Sequence, residues 1–129
     1  MKTGLEFSRK VDTAYMALCK PLCKKWHLTQ TALDILMFLA NNPEFTTARD
    51  IVEIRKLKAN LVSVNVDRLV REGYLVRQEV AEDRRKTKLL CTSKADEIIT
   101  QGRKLQQDFV VLLFAGIDEE TRDILLGSM

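Results

Sequence analysis

The stretch 67–92, DRLVREGYLVRQEVAEDRRKTKLLCT, limits what this chain can fold into more than any other part of it. Gly73 closes a helical pattern there, since glycine reaches the left-handed backbone of a helix end without steric cost. Leu75 to Val80 then alternates in the manner of a strand. A six-residue charged tip follows, Ala81-Glu82-Asp83-Arg84-Arg85-Lys86, and Thr87 to Cys91 supplies a second strand. Helix, strand, basic turn, strand is the order of a winged helix, and a basic tip on a stiff hairpin suits phosphates or a narrow groove.

The rest of the chain is consistent with that unit. At 129 residues it is long enough for one core and too short for two independent ones. The longest apolar run, Phe109 to Ala115, falls far short of the ~20 residues of a membrane span. The opening residues MKTGLEFSRK lack the apolar region of a secretory signal. Cys19, Cys23 and Cys91 form an odd set with no disulfide framework, which suits a reducing cytoplasm. Net charge is only +3 but unevenly placed: residues 49–88 hold eleven Lys/Arg against seven Asp/Glu, and the remainder ten against eleven. A basic middle flanked by neutral helices is the charge pattern of a DNA-facing lobe, although local excesses of this size also occur on ordinary surfaces.

Apolar spacing predicts a helix from Leu5 to about Trp26, through Phe7, Val11, Tyr15, Leu18, Cys19, Leu22 and Trp26, with a kink or restart at Pro21. Thr29 is the expected cap of a second helix, with Leu33, Leu36, Met37 and Ala40 inward and Asn41-Asn42-Pro43 at its end. Thr47 and Asp50 have the spacing of a capping box for a short helix, ARDIVEI. A turn at 55–57 leads to a helix over roughly Lys58 to Glu72, its buried stripe being Val62, Val66, Leu69 and Val70. After the hairpin, Thr92 and Ser93 can cap a long helix bearing Ile98, Leu105, Phe109 and Leu112, and Asp118 can cap a last one through Leu126. The expected fold is mainly α with a small β-hairpin wing: a winged helix-turn-helix lobe at 29–91, flanked by dimerisation helices at 5–26 and 92–129. Dimerisation is expected because Phe109 to Phe114 is apolar nearly all round, though a monomer could pack the two end helices on each other.

Two helices joined by a tight turn place the N-terminal half of the second in the major groove. Removing the buried stripe leaves Lys58, Ala59, Asn60, Leu61, Ser63, Val64 and Arg68 as candidate reading residues, with Asp67 orienting Arg68 or Arg71. Asn60 can bond adenine bidentately, Lys58 guanine or phosphate, and Ser63 either, while Leu61 and Val64 would meet thymine methyls or merely be exposed. At the wing, Asp83, Arg84, Arg85 and Lys86 are the candidate contacts to phosphate or minor groove, Asp83 orienting a guanidinium. No catalytic reading is supported. One histidine cannot build a His-rich metal site, the cysteines lack zinc-site partners, and no glycine-rich phosphate loop or nucleophile elbow occurs. No cofactor or metal is therefore expected.

The run from Val62 to Ile98 resembles the MarR family of bacterial transcription regulators. Asp83-Arg84-Arg85 matches the family's Asp-x-Arg wing, and Asp67-Arg68-Leu69-Val70-Arg71-Glu72-Gly73 its D-R-L-x-x-x-G helix end. Cys91-Thr92-Ser93-Lys94-Ala95 follows the wing as Leu-Thr and a small residue do there, and His27-Leu28-Thr29 also fits. The resemblance implies a homodimer with DNA-reading lobes beneath a helical interface, acting on a pseudo-palindromic duplex. It implies a repressor released by a small molecule or an oxidant, with Asp83 and Arg85 as the wing pair and 58–68 as the reading helix. Where the family has serine caps this chain has Lys58-Ala59-Asn60, which leaves Asn60 as an alternative start, and Val64 stands where polar or basic residues are common.

Two readings concern a signal. Cys19 and Cys23 share a helical face beside Tyr15, where the resemblance implies a peroxide-sensing cysteine in some members, or are core filling. Tyr15, Trp26, His27 and Phe38 are candidates to line a pocket for an aromatic or carboxylate effector, or are packing residues. The competing functional class is a winged helix that docks an acidic protein and binds no DNA.

Overall fold

Two threonines start the helices at the centre of the molecule, as their spacing predicts. The Thr29 hydroxyl oxygen accepts the Ala32 N–H at 3.0 Å and opens α2, Gln30–Asn41. Thr47 opens α3, Ala48–Arg55, with a complete capping box: its hydroxyl oxygen accepts Asp50 N–H at 3.1 Å, and the Asp50 carboxylate accepts Thr47 N–H at 3.2 Å. The computed structural model describes residues 2–116, and of residues 2–6, 84, 85 and 116 the backbone only. The helix expected from Asp118 lies outside the described residues.

The remaining elements, in chain order, are α1 at Lys2–Trp26, α4 at Ala59–Arg71, β1 at Leu75–Val80, β2 at Asp83–Cys91 and α5 at Asp96–Gly116. α1 does not restart at Pro21 but continues as one helix to Trp26. A single missing donor there is outweighed by packing of the helix on α5 and α2. Its end is a left-handed cap: His27 has φ 55°, and Leu28 N–H bonds the Cys23 carbonyl at 2.8 Å.

α2 is the axle of the fold. Ala32, Leu33 and Ile35 to Leu39 are all buried, a wider set than the single inward stripe expected from spacing. α1, α4, α5 and β2 all pack on it, so nearly every side of the helix faces protein. Ile51 of α3, Val62 and Leu69 of α4, Leu75 of β1 and Ile98 of α5 complete the sealed centre. Gly102 lets α5 approach closely, because a Cβ there would stand 2.5 Å from the Met37 sulfur.

The hairpin differs from expectation at both ends. Its tip is the two residues Ala81-Glu82, since Val80 pairs with Asp83, and β2 begins at Asp83 rather than Thr87. Glu79 pairs with Thr87, so Arg84, Arg85 and Lys86 form a bulge on β2 with no opposite residue on β1. Such insertions twist a strand end and re-aim its side chains. At the base, Gly73 takes φ 86° and the Thr92 hydroxyl donates to its carbonyl at 2.6 Å. Thr92 therefore closes the hairpin instead of capping the next helix. A short 3-10 turn at Ser93–Ala95 intervenes before α5.

Candidate nucleic-acid interface

The interface is built outward from a buried polar joint. Asn65 is, among the described residues, the buried polar side chain of the core, and it lies between Val62 and Val66 on the inner face of α4. Its amide donates to the Leu61 carbonyl at 2.8 Å, and its oxygen accepts the Thr29 hydroxyl at 2.6 Å. The N-cap of α2 is thus bonded to the middle of α4. A second tie lies one turn on: Arg68 donates to the His27 carbonyl at 2.5 Å and to the Glu72 carboxylate at 3.2 Å. Both ties come from residues 27–29, the junction between α1 and α2.

With its inner face fixed, α4 turns the opposite row to solvent. Lys58, Ala59, Asn60, Leu61, Ser63 and Val64 are all exposed, Leu61 by 44% and Val64 by 65%. α4 begins at Ala59, with Lys58 in the cap position and making no side-chain cap bond. The Asn60 side-chain oxygen takes the Leu61 N–H at 3.0 Å, so one early donor of the helix is satisfied within it. That oxygen keeps a second lone pair, which leaves a bidentate contact to adenine chemically available.

Arg68, expected on the reading row, is turned back onto His27 and Glu72, because it sits at the edge of the stripe where the α1–α2 junction passes. Asp67 orients neither Arg68 nor Arg71; it pairs with Arg77 of β1 and joins helix to wing. At the wing, Lys86 is exposed and Asp83 half-buried. The backbone of Arg84 and Arg85 continues the bulge between them. Sequence reading missed Asn65 and Arg77. Asn65 carried a signal, a polar residue set within an otherwise apolar stripe. Arg77 carried none, since its partner is ten residues away on another element.

The candidate sensor residues fall into two groups. Cys19 and Cys23 are buried, and burial pushes both thiols above the ordinary range. Cys91 is pushed up to about 11 by the same cause. A peroxide-sensing thiol needs an accessible sulfur held as thiolate, and the burial of Cys19 and Cys23 runs against that requirement. Tyr15 and Phe38, by contrast, line one cavity of about 220 Å³ with Asp34, Asn42, Arg55 and Gln106. The Tyr15 hydroxyl accepts from Gln106 at 3.0 Å, its ring packs edge-on to Phe109 at 5.3 Å, and burial raises its pKa to about 12. Trp26 lies elsewhere, donating to Gln101 at 3.4 Å, and His27 is exposed, so neither lines this cavity. Among the described residues no group of His, Cys, Asp and Glu could hold a metal ion, and no helix is long and apolar enough to cross a membrane.

The fold and this face define a winged helix-turn-helix protein. Residues 27–86, within the lobe that carries the helix-turn-helix and the wing, match the model of the MarR family. Solved structures agree along nearly the whole chain. A MarR transcriptional regulator from Methanosarcina mazei Go1 is 17% identical with a TM-score of 0.80, over 99% of this chain and 91% of that one. The transcriptional regulator PA3341 is 25% identical with a TM-score of 0.79, over 97% and 90%. MepR of S. aureus, solved in complex with DNA, is 16% identical with a TM-score of 0.65, over 92% and 89%. No curated protein matches the chain in sequence.

Proposed function

We propose that this chain is a sequence-specific, double-stranded DNA-binding regulator that acts as a homodimer in the cytoplasm. The observation that carries the reading is the open row from Lys58 to Val64 on a helix whose opposite face is bonded to the scaffold through Asn65 and Arg68. A stiffly held helix with exposed polar and methyl-sized groups is what the major groove requires. The bulge Arg84-Arg85-Lys86, beside Asp83, would steady each half-site on phosphate or in the minor groove. Val110, Val111 and Leu112 of α5 are exposed apolar residues on the helix expected to form the dimer, and two-fold symmetry would match a pseudo-palindromic operator. Repression relieved by a small molecule at the Tyr15 cavity fits better than relief by an oxidant, because Cys19 and Cys23 are buried.

The deciding experiment is an electrophoretic mobility shift with genomic and random duplex across a salt series. A specific dimer should show a steep slope, ~0.9 log units for each phosphate neutralised. Arg85→Ala should weaken binding to all sequences, and Asn60→Ala should relax preference at one base position. No shift at low salt would instead favour a winged helix that docks an acidic protein.

A further inference from the structure

The β-hairpin has one finished edge and one open edge, and its hydrogen bonds show which is which. Leu89 N–H points out of the hairpin to the Thr46 carbonyl at 2.7 Å, so the outer side of β2 is met by the segment before α3. Leu89 stands opposite Arg77, and that pair therefore exchanges no backbone bonds across the hairpin. The bond from Thr92 N–H to the Tyr74 carbonyl at 3.0 Å fits the same alternation: even positions of β1 bond to β2, and odd positions face outward. The N–H and C=O groups of Arg77 and Glu79 thus point away from β2, along an exposed stretch from Val76 to Glu79. Among the described residues no other group takes them.

An open edge attracts other strands, and charged side chains usually deter them. Here the charges deter most strands but match one another. Laid antiparallel against itself about Gln78, the segment Val76-Arg77-Gln78-Glu79-Val80 puts Arg77 opposite Glu79 and Val76 opposite Val80. Outward-bonding positions then meet outward-bonding positions, so each Arg77–Glu79 pair exchanges both of its backbone bonds. A register shifted by one residue would set inward groups against outward ones. Arg77 already pairs with Asp67, and a guanidinium has donors enough to serve a second carboxylate. Val76 and Leu90, cross-strand neighbours on the outer face, are 47% and 37% exposed, and the partner's Val80 would extend their row.

We propose that β1 pairs antiparallel with β1 of a second copy of this chain, two-fold symmetric at Gln78, so that two hairpins form one continuous sheet. The occupant is a second copy because the edge complements its own reverse in charge, in apolar contact and in bonding parity at once. The pairing uses no residue of α5. It is therefore a second contact between molecules, distinct from the dimer proposed above, and it does not rest on DNA binding.

Cysteine cross-linking tests the register directly. On the two-fold axis the Gln78 positions form a non-hydrogen-bonded pair with Cα atoms about 4.5 Å apart, within the span of a disulfide. Val76 and the partner's Val76 would lie four positions apart along the pair, about 13 Å, farther than a disulfide reaches. Under mild oxidation of the intact protein, without DNA, Gln78→Cys should double in mass on a denaturing gel and revert on reduction. Val76→Cys alone should match the wild type, which controls for Cys19, Cys23 and Cys91, but should cross-link when mixed with Val80→Cys. Glu79→Pro removes an outward N–H and no bond to β2, so it should abolish the Gln78→Cys product while the unfolding profile persists. Cross-linking of Gln78→Cys no greater than of Val76→Cys, absence of the mixed product, or a Gln78→Cys product that survives Glu79→Pro would each overturn the proposal. The contrast between positions 78 and 76 decides the matter even if Glu79→Pro does not fold. Failure of the wild type to bind duplex would sink the regulatory function and leave the cross-linking result standing.

Discussion

The two most apolar helices of this protein face opposite surroundings. α2 has its apolar side chains sealed by α1, α4, α5 and β2, and Leu33, Ile35 and Leu36 are fully buried. The outer half of α5 is as apolar in sequence, yet Val110, Val111 and Leu112 stand in solvent, Val111 at 67% exposure. Composition does not distinguish them; neighbours do. α2 stabilises the single chain, whereas outer α5 buries one side, through Phe109 on Tyr15, and leaves Val110, Val111 and Leu112 for a second surface to cover. On that comparison the core helix governs folding, and the end helix carries the surface on which the proposed dimer would form.

The comparison can be broken or sharpened at four positions, in decreasing order of the expected effect on one chain. Leu36→Ala should cost about 2–5 kcal/mol, because it removes a fully enclosed side chain from a helix packed on all sides. Urea unfolding would measure it, and a cost below about 1 kcal/mol would mean that α2 is not the core element described. Asn65→Ala should cost about 1–3 kcal/mol, since the Thr29 hydroxyl and Leu61 carbonyl each lose a partner. If α4 is positioned by that joint, duplex affinity should fall beyond what the remaining folded fraction explains. Thr47→Ala removes one half of the capping box and should cost about 1 kcal/mol in the same assay. Val111→Ser should leave the unfolding of dilute, single-chain protein within ~0.5 kcal/mol, yet shift sedimentation equilibrium away from the dimer. A large loss of single-chain stability there would show that outer α5 has cover within the chain, and the contrast would fall.

Tyr15 provides a pH test of the region between those helices. Its folded pKa of about 12 lies above the ordinary 10, so the phenol favours the folded state fully below pH 10. That contribution declines from pH 10 and is lost as pH rises through about 12. Tyr15→Phe should flatten this high-pH decline in a stability profile. An unchanged profile would place the phenol in water rather than against Gln106 and Phe109.

Much of the fold was legible because it depends on short-range chemistry. Thr29, Thr47 with Asp50, and Gly73 mark helix ends through bonds and dihedrals that involve neighbours in sequence, and each stands where spacing placed it. The outward row of α4 follows equally from period and stripe. Other positions were not legible, for one shared reason: their partners are distant along the chain. Arg68 reads as a base contact until the His27 carbonyl, 41 residues earlier, is brought beside it. Asp67 reads as the neighbour of Arg68 until the hairpin places Arg77 against it. The wing tip reads as six loose charged residues until the pairing of Val80 with Asp83 shortens it to two.

Local pattern by itself therefore determined the succession of helices and hairpin, the caps, and the face of α4 turned outward, since those depend on dihedral preference and periodicity. Tertiary structure decided which polar groups bond to each other, that Cys19 and Cys23 are enclosed, and that Asp34 lines a cavity beside the more exposed Arg55. Charge and hydrogen-bond energies depend on distance and burial, and neither quantity is fixed until the chain has folded.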